Sequence, residues 1–216
     1  MIVYWLLLLP TAFIAYFLGS MDTLVLASNF VFHRNLLRLG KGNTWLSNFK
    51  RIYGIKGFLK LLAVEAVRDA IPIIVGGLLL GIKGHPEAGR AVAGFCLVMG
   101  RLFPMLYDLK GSHAALPMVA AALAVDTSAG IAAAVVLGIT LLASRYLSVS
   151  AVAAALTYAV VAVLVVDDSL ILKLAIFTAA AVIVKHIPSI LRLARGEEEK
   201  LTGEEDITYK LDEKFK

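Results

Sequence analysis

The chain has 216 residues, of which 60% are hydrophobic and 17% charged, with a mean hydropathy of +0.84. Such values exclude a soluble globular domain and define an integral membrane protein. The formal charge of +5 is unevenly spread: residues 195–216 hold eight of the sixteen acids and five of the 21 bases, leaving a charge of +8 in residues 1–194. The basic part is expected to be a transmembrane domain, 1–194, and the acidic part a charged cytoplasmic tail, 195–216.

The first apolar stretch, 2–18, lacks a basic start and a clean small-residue cleavage site, so it is expected to stay as a helix and not to be removed as a signal peptide. Further apolar runs follow at 58–82, 87–106, 113–125, 128–143, 149–166 and 169–187. Several approach the ~20 residues needed to cross a bilayer. They predict an all-α, polytopic membrane helical bundle of about seven transmembrane helices. The run at 113–125 is short and is parted from the next only by Asp126 and Thr127, so a single bent or re-entrant unit, giving six spans, is the second reading. Cys96 is the only cysteine and lies in an apolar run, which excludes an internal disulfide and points to a small core residue.

Seven spans put the termini on opposite sides, and the loop charges select an orientation. With the N-terminus outside and the C-terminus cytoplasmic, the inner side receives Arg34, Arg38, Lys41, Lys50, Arg51, Lys56, Lys60, Arg101, Lys110, Arg145, Lys185, Arg192 and Arg195. The outer side receives Lys83, Arg90 and Lys173, with Asp126, Asp167 and Asp168 at its turns. Short polar islands at 40–51, 100–113, 144–150 and 185–196 then all face the cytoplasm. A face of glycine-rich loops with cationic side chains suits a phosphorylated, water-soluble substrate meeting the membrane.

In the first island Gly40 and Gly42 let backbone N–H groups approach an oxyanion, Asn43, Ser47 and Asn48 supply neutral hydrogen bonds, and Arg51 is able to clamp a phosphate. The alternative is a basic loop touching anionic headgroups. The second island carries Gly100, Arg101, Phe103 and Pro104, then Lys110, Gly111, Ser112 and His113 ahead of a helix. It reads as an anion site at a helix N-terminus or as an ordinary turn. Glu65, Arg68 and Asp69 sit inside an apolar span at spacings of three and four on one helix face, which predicts an internal ion pair, structural or lining a cavity.

Taken in order, these islands resemble the bacterial acyl-phosphate-dependent glycerol-3-phosphate acyltransferase family, over nearly the whole chain. Tyr16, Phe17, Leu18, Gly19 and Ser20 resemble the end of its first helix, and Gly40, Gly42, Asn43 and Asn48 its Gly-Ser-Gly-Asn-x-Gly-Ala-Thr-Asn motif. Arg51, Gly54 and Lys56 follow where the family has Arg and a Gly-x-Lys turn. Glu65, Arg68 and Pro72 resemble its Asp-x-x-Lys-Gly-x-x-Pro run with both charges conservatively exchanged. Gly100, Phe103, Pro104, Lys110 and Gly111 hold the pattern Gly-His-x-Phe-Pro, spacer, Phe-Lys-Gly-Gly-Lys-Gly. Ser144, Arg145, Tyr146 and Ser148 resemble Thr-Arg-Tyr-x-Ser, and the stretch from His186 through Ile190, Arg192, Leu193, Gly196, Glu198 and Lys200 resembles the closing motif.

Departures are Lys41 for Ser, Trp45 and Leu46 for Gly and Ala, Ser47 for Thr, Arg101 for His, Ser112, His113 and Ala114 for Gly-Lys-Gly, and Ile187 and Ser189 for Arg and Asn.

The resemblance implies transfer of a fatty acyl group from acyl-phosphate to the 1-hydroxyl of glycerol-3-phosphate, giving lysophosphatidate at the cytoplasmic face of the cell (inner or plasma) membrane. It implies catalytic roles for His186, Lys110 and Ser47, with His186 as a substrate contact or proton-transfer partner. Lys110, Arg51 and Arg145 are expected as cationic clamps, and Gly40, Gly42, Asn43 and Ser47 as an anion cradle. Ser20, Asn48, Arg101, Gly111, His113, Ser148 and Arg192 complete the expected substrate-binding set. Lys110 and Arg145 alternatively anchor helices at headgroups, and Ser20 alternatively bonds its own helix backbone. No Ser-His-Asp or Cys-His arrangement is present, so neither a covalent acyl-enzyme nor a cofactor or metal is expected. The expected partners are glycerol-3-phosphate, acyl-phosphate and membrane lipid, with no nucleic-acid signature. A relative that binds phosphate-bearing lipid precursors without turning them over, and a small transporter or scaffold, are the two non-enzymatic readings.

Overall fold

The computed structural model describes residues 2–27, 45–105 and 114–198, with side chains from 6 onward except at 24, 25 and 45–52. The described residues form eight helices: α1 (Ile2–Ser20), α2 (Thr23–Ala27), α3 (Trp45–Gly81), α4 (Pro86–Leu102), α5 (Ala115–Val125), α6 (Thr127–Ser144), α7 (Leu147–Val165) and α8 (Ser169–Ala194). Seven of these are the expected apolar runs, and α2 is a single added turn and a bit.

The boundaries move where polar residues join apolar helices. α3 starts at Trp45 and not near residue 58, so the end of the first island is helical, and the helix is broken at Gly54, whose φ of 64° and ψ of −171° lie outside helical space. Glycine has no Cβ to oppose that conformation, and the Gly-x-Lys sequence is therefore a kink between two helical sections. α8 continues seven residues past the expected end, to Ala194, and closes with Glu197 N–H on Arg192 O at 2.9 Å, Gly196 N–H on Leu193 O at 2.9 Å and Gly196 at φ 73°. This double bond with a left-handed glycine satisfies the last carbonyls.

The two runs around Asp126 are separate helices. Asp126 is extended, at φ −153° and ψ 136°, and its carboxylate accepts the N–H groups of Ser128 and Ala129 at 2.8 and 3.0 Å and the Ser128 hydroxyl. Those bonds hold the Asp126 carboxyl below its ordinary value, the Ser128 hydroxyl contributing most. A Cβ on Gly130 would lie 2.5 Å from Leu123 Cα, so α6 folds back along α5 and the two do not make one bent rod. The eleven residues of α5 rise only ~16 Å, about half the hydrocarbon thickness. Asp168 caps α8 in the same way, accepting from Leu170 and Ile171 at 2.8 and 2.9 Å. Asp126 and Asp168, two of the three aspartates expected to mark turns, are thus helix caps.

α4 lies at the centre and packs on α1, α3, α5 and α8. Its glycines make room for three of those neighbours: a Cβ on Gly89 would meet Gly76 O of α3 at 2.1 Å, one on Gly94 would meet Ala121 Cβ of α5 at 2.9 Å, and one on Gly100 would meet Tyr16 O of α1 at 2.2 Å. Backbones approach this closely only through small residues, which is how membrane helices gain dispersion contact without a hydrophobic drive. The core beside α4 is similarly small-grained: Ala121, Ala122, Ala129, Ala133, Ala151, Ala154, Ala155 and Ala162 surround Met118 and Tyr158. Outward-facing Leu6, Phe13, Leu78, Ile139, Leu142, Leu164 and Val184 are more than half exposed, as lipid-facing side chains are. α6, α7 and α8 are long and apolar enough to cross a membrane.

Candidate functional site

Polar chemistry gathers where α1 and α4 end, α3 enters the bundle, and α8 approaches its last turns. The first element is a buried charge cluster. The carboxylate of Glu65 lies 3.3 Å from Arg101 Nη2 across the α3–α4 interface and 3.7 Å from Arg68 Nη2 on its own helix. Arg68 Nε donates to Asp69 Oδ1 at 2.9 Å, and Arg68 Nη1 donates to Met21 O at 3.0 Å and to Thr23 Oγ1 at 2.8 Å. Arg101 Nη1 donates to the same Met21 carbonyl at 3.3 Å. Glu65 and Asp69 are 1% exposed, and Arg68 and Arg101 4%. Two acids and two bases cancel, which is the condition for holding four ions in a low-dielectric interior. The expected internal pair is therefore real but larger, because Arg101 completes it from another helix. Arg101, expected to hold substrate, directs its guanidinium onto Glu65 and Met21 O, because an unpaired carboxylate at Glu65 would be costly to bury.

The second element is the end of α4. Tyr16 Oη of α1 donates to Phe103 O at 2.5 Å, and Lys185 Nζ of α8 donates to Leu102 O at 2.8 Å while standing 4.9 Å from the centre of the Phe103 ring. Ser20, expected to meet substrate, is buried and donates to Tyr16 O at 2.8 Å, the local backbone bond that was its alternative reading.

The third element is α8. His186 is closed to solvent, with Nδ1 2.7 Å from Val182 O. A carbonyl only accepts, so Nδ1 carries the hydrogen and Nε2 holds the lone pair of the neutral ring. Nearly two turns further on, Arg192 Nη2 donates to Ser189 Oγ at 2.8 Å from an exposed position.

At the α6–α7 turn, Arg145 is exposed and caps α6 in the left-handed region, at φ 62° and ψ 16°, a conformation unusual for a residue with a Cβ. Ser144 Oγ supports the turn by donating to Thr140 O at 2.7 Å and accepting Tyr146 N–H at 3.2 Å. Ser148, the second residue of α7, is fully buried, and its Oγ has no hydrogen-bond partner among the described residues.

Gly40, Gly42, Asn43, Lys110, Gly111 and His113 lie outside the described residues, and Ser47, Asn48 and Arg51 fall in helical backbone at the start of α3 whose side chains are likewise outside them. Of the expected set the structure brings Arg101 and Ser20 to the α4 end and places His186 on the helix packed beside it. Sequence reasoning missed Lys185 and the Met21 carbonyl. Lys185 was legible only as an inner-side cation at the start of the fourth island, and backbone acceptors carry no sequence signal at all.

The fold and these groups together define a polytopic α-helical membrane protein with a buried charge cluster joining α3 to α4. Residues 9–196 match the family described as Glycerol-3-phosphate acyltransferase, and the chain belongs to that family. It is similar to glycerol-3-phosphate acyltransferases of Thermoanaerobacter sp. (strain X514), 23% identical over 91% of this chain and 97% of the relative, and of Jannaschia sp. (strain CCS1), 29% identical over 91% and 94%. The fold is shared with crystal structures of PlsY (YgiH), an integral membrane glycerol 3-phosphate acyltransferase. Its glycerol 3-phosphate form has a TM-score of 0.72 and 23% identity over 89% of this chain and 94% of the other. Its lysophosphatidic acid form has the same score and identity over 91% and 96%. The chain is accordingly an acyltransferase of phospholipid synthesis.

Proposed function

We propose that the chain moves a fatty acyl group from acyl-phosphate to the 1-hydroxyl of glycerol-3-phosphate at the cytoplasmic face of the cell membrane, in a bundle of about seven spans with the N-terminus outside and residues 195–216 as a charged cytoplasmic tail. The family match along residues 9–196, continuous through all four polar islands, carries this reading. The loop charges support the orientation.

Acyl-phosphate is an activated mixed anhydride, so the protein has little covalent chemistry to do. The 1-hydroxyl oxygen attacks the acyl carbonyl carbon, the bond from that carbon to the phosphate oxygen breaks, and inorganic phosphate leaves. The task is to hold two phosphates close and to orient the hydroxyl, which positioning and fixed charge accomplish. Lys110, Arg51 and Arg145 are assigned to the phosphates, with Gly40, Gly42, Asn43, Ser47 and Asn48 as backbone and neutral donors, and Gly111, His113 and Arg192 beside them. His186, with Nε2 as its acceptor nitrogen, is assigned to the hydroxyl proton. Ser148 fits a substrate-facing hydroxyl, because a buried Oγ without a protein partner costs about 1–3 kcal/mol unless something else bonds it. Acyl chains and lipid are met by the apolar faces of the helices.

The test is turnover of labelled glycerol-3-phosphate with palmitoyl-phosphate by the purified chain. Labelled lysophosphatidate and phosphate in equal amounts, abolished in Lys110→Ala, are expected. Thermal protection by both substrates without product would replace the enzyme by a binding relative, and uptake into sealed vesicles without conversion would replace it by a transporter.

A further inference from the structure

The end of α4 is gripped by side chains from three other helices, and one of them, Lys185, has no part in the site assigned above. Its ammonium donates to Leu102 O at 2.8 Å and stands over the Phe103 ring at 4.9 Å. Leu102 is the last residue of α4, and its carbonyl is one of the four that a helix leaves without an intrahelical partner. A cation there meets both an orphan acceptor and the negative end of the helix dipole, and the ring face adds a second attraction to the same charge. A lysine set this way is doubly held, unlike a headgroup anchor with its ammonium in water.

The position of the grip gives it a consequence. His186 follows Lys185 on α8 and points about 100° around the helix, into the bundle, with no exposed surface. On the other side, Arg101 precedes Leu102 and is fixed to Glu65 of α3 at 3.3 Å, and Phe103 O takes the Tyr16 hydroxyl. The rotation of α8 about its own axis, and so the direction in which the imidazole points, is thereby referred to a platform that α1, α3 and α4 build together.

We propose that Lys185 is a positioning residue for acyl transfer, its ammonium tying α8 to the end of α4 so that His186 is held at the orientation the reaction needs. This rests on the acyltransferase reading and on the assignment of His186, and adds a residue that touches no reacting atom.

Two measurements on the full chain test it. In steady-state assays with glycerol-3-phosphate and palmitoyl-phosphate, Lys185→Met is expected to lower kcat by about tenfold or more with KM within about threefold, as a small misplacement of a reacting group does. Lys185→Arg, which keeps both the donor and the stacking cation, is expected to recover most of it. A loss carried by KM alone would overturn the proposal, since it makes Lys185 a substrate ligand, and so would wild-type kcat in Lys185→Met or an arginine variant as impaired as the methionine one. Should Lys185→Met fail to fold, Phe103→Leu, which removes only the ring beneath the ammonium, is expected to lower kcat in the same sense, and unchanged kcat in it would count against the tether. Independently of turnover, amide exchange at 101–103 is expected to speed up in Lys185→Met and not in Lys173→Met, an exposed lysine near the other end of α8. Unchanged exchange would overturn the tether itself. If the wild-type chain has no turnover, the acyltransferase reading fails, while the exchange result still decides whether the lysine holds α4.

Discussion

Arg101 of α4 and Glu65 of α3 meet at 3.3 Å with both side chains all but closed to solvent, and Arg101 shares the Met21 carbonyl with Arg68. This cluster thus joins the middle of α3, the end of α4 and the bend between α1 and α2.

Removing one partner leaves the other as an uncompensated buried charge. Glu65→Ala is expected to destabilise the folded chain by about 3–5 kcal/mol, while Glu65→Leu combined with Arg101→Leu recovers much of that loss, because no lone ion remains. Thermal unfolding in detergent, followed by tryptophan fluorescence, reads the difference. A double variant as unstable as the single one would show that the pair contributes more than charge balance.

The contact of α4 with α1 is set by a missing side chain. Gly100→Ala puts a Cβ 2.2 Å from Tyr16 O, a backbone atom with nowhere to go, and is expected to cost at least about 2 kcal/mol and to disturb the Tyr16–Phe103 bond. Gly138→Ala on α6, where nothing lies within 4 Å, is the internal control and is expected to be neutral or to gain up to about 1 kcal/mol. Melting temperatures of the two variants, compared side by side, check the contrast.

His186→Asn is expected to lower kcat about 10²–10⁴-fold, the range for a lost proton-transfer group, with a smaller change in KM for glycerol-3-phosphate. Steady-state kinetics at saturating palmitoyl-phosphate give both numbers. Wild-type kcat in this variant would remove His186 from the chemistry and leave it as a buried structural histidine.

The turn between α5 and α6 has its own pH dependence. Hydrogen bonds from the Ser128 hydroxyl and the Ala129 and Ser128 amides hold the Asp126 carboxyl below its unfolded value of about 3.9. A depressed folded value means that the cap stabilises fully above the unfolded value and that this stability is lost as pH falls through the folded one. Asp126→Ala is expected to cost about 1 kcal/mol at neutral pH, with the gap to wild type closing below about pH 4. Unfolding curves between pH 3 and 7 measure that gap, and Asp126→Asn, which keeps an acceptor, is expected to track wild type more closely.

The apolar runs were legible because a helix in hydrocarbon must satisfy its own backbone, so a run of apolar residues near 20 long leaves few other structures open. Five of the seven expected runs reappear within a few residues of the helices found, and α8 starts where expected but runs seven residues further. The start of α3 departs furthest, since Trp45 to Tyr53 is too polar to look like a membrane helix and Gly54 hides the junction. Glu65, Arg68 and Asp69 were legible as a charge group because spacing on a helix puts them on one face. The second cation on Glu65 was not, because Arg101 is 36 positions away and only the packing of α4 on α3 brings it there.

By itself, then, the sequence determined the class, the helices and the family, each of which depends on composition, local periodicity or the order of short motifs. Tertiary structure alone decided what the polar residues do inside that frame. It paired Arg101 with Glu65, bonded Ser20 to its own helix, and brought Lys185 to the end of α4. The reason is physical: a buried charge or hydroxyl takes whichever partner the packing brings within about 3 Å, and in a helical bundle that partner comes from another helix or from a backbone carbonyl with no letter of its own in the sequence.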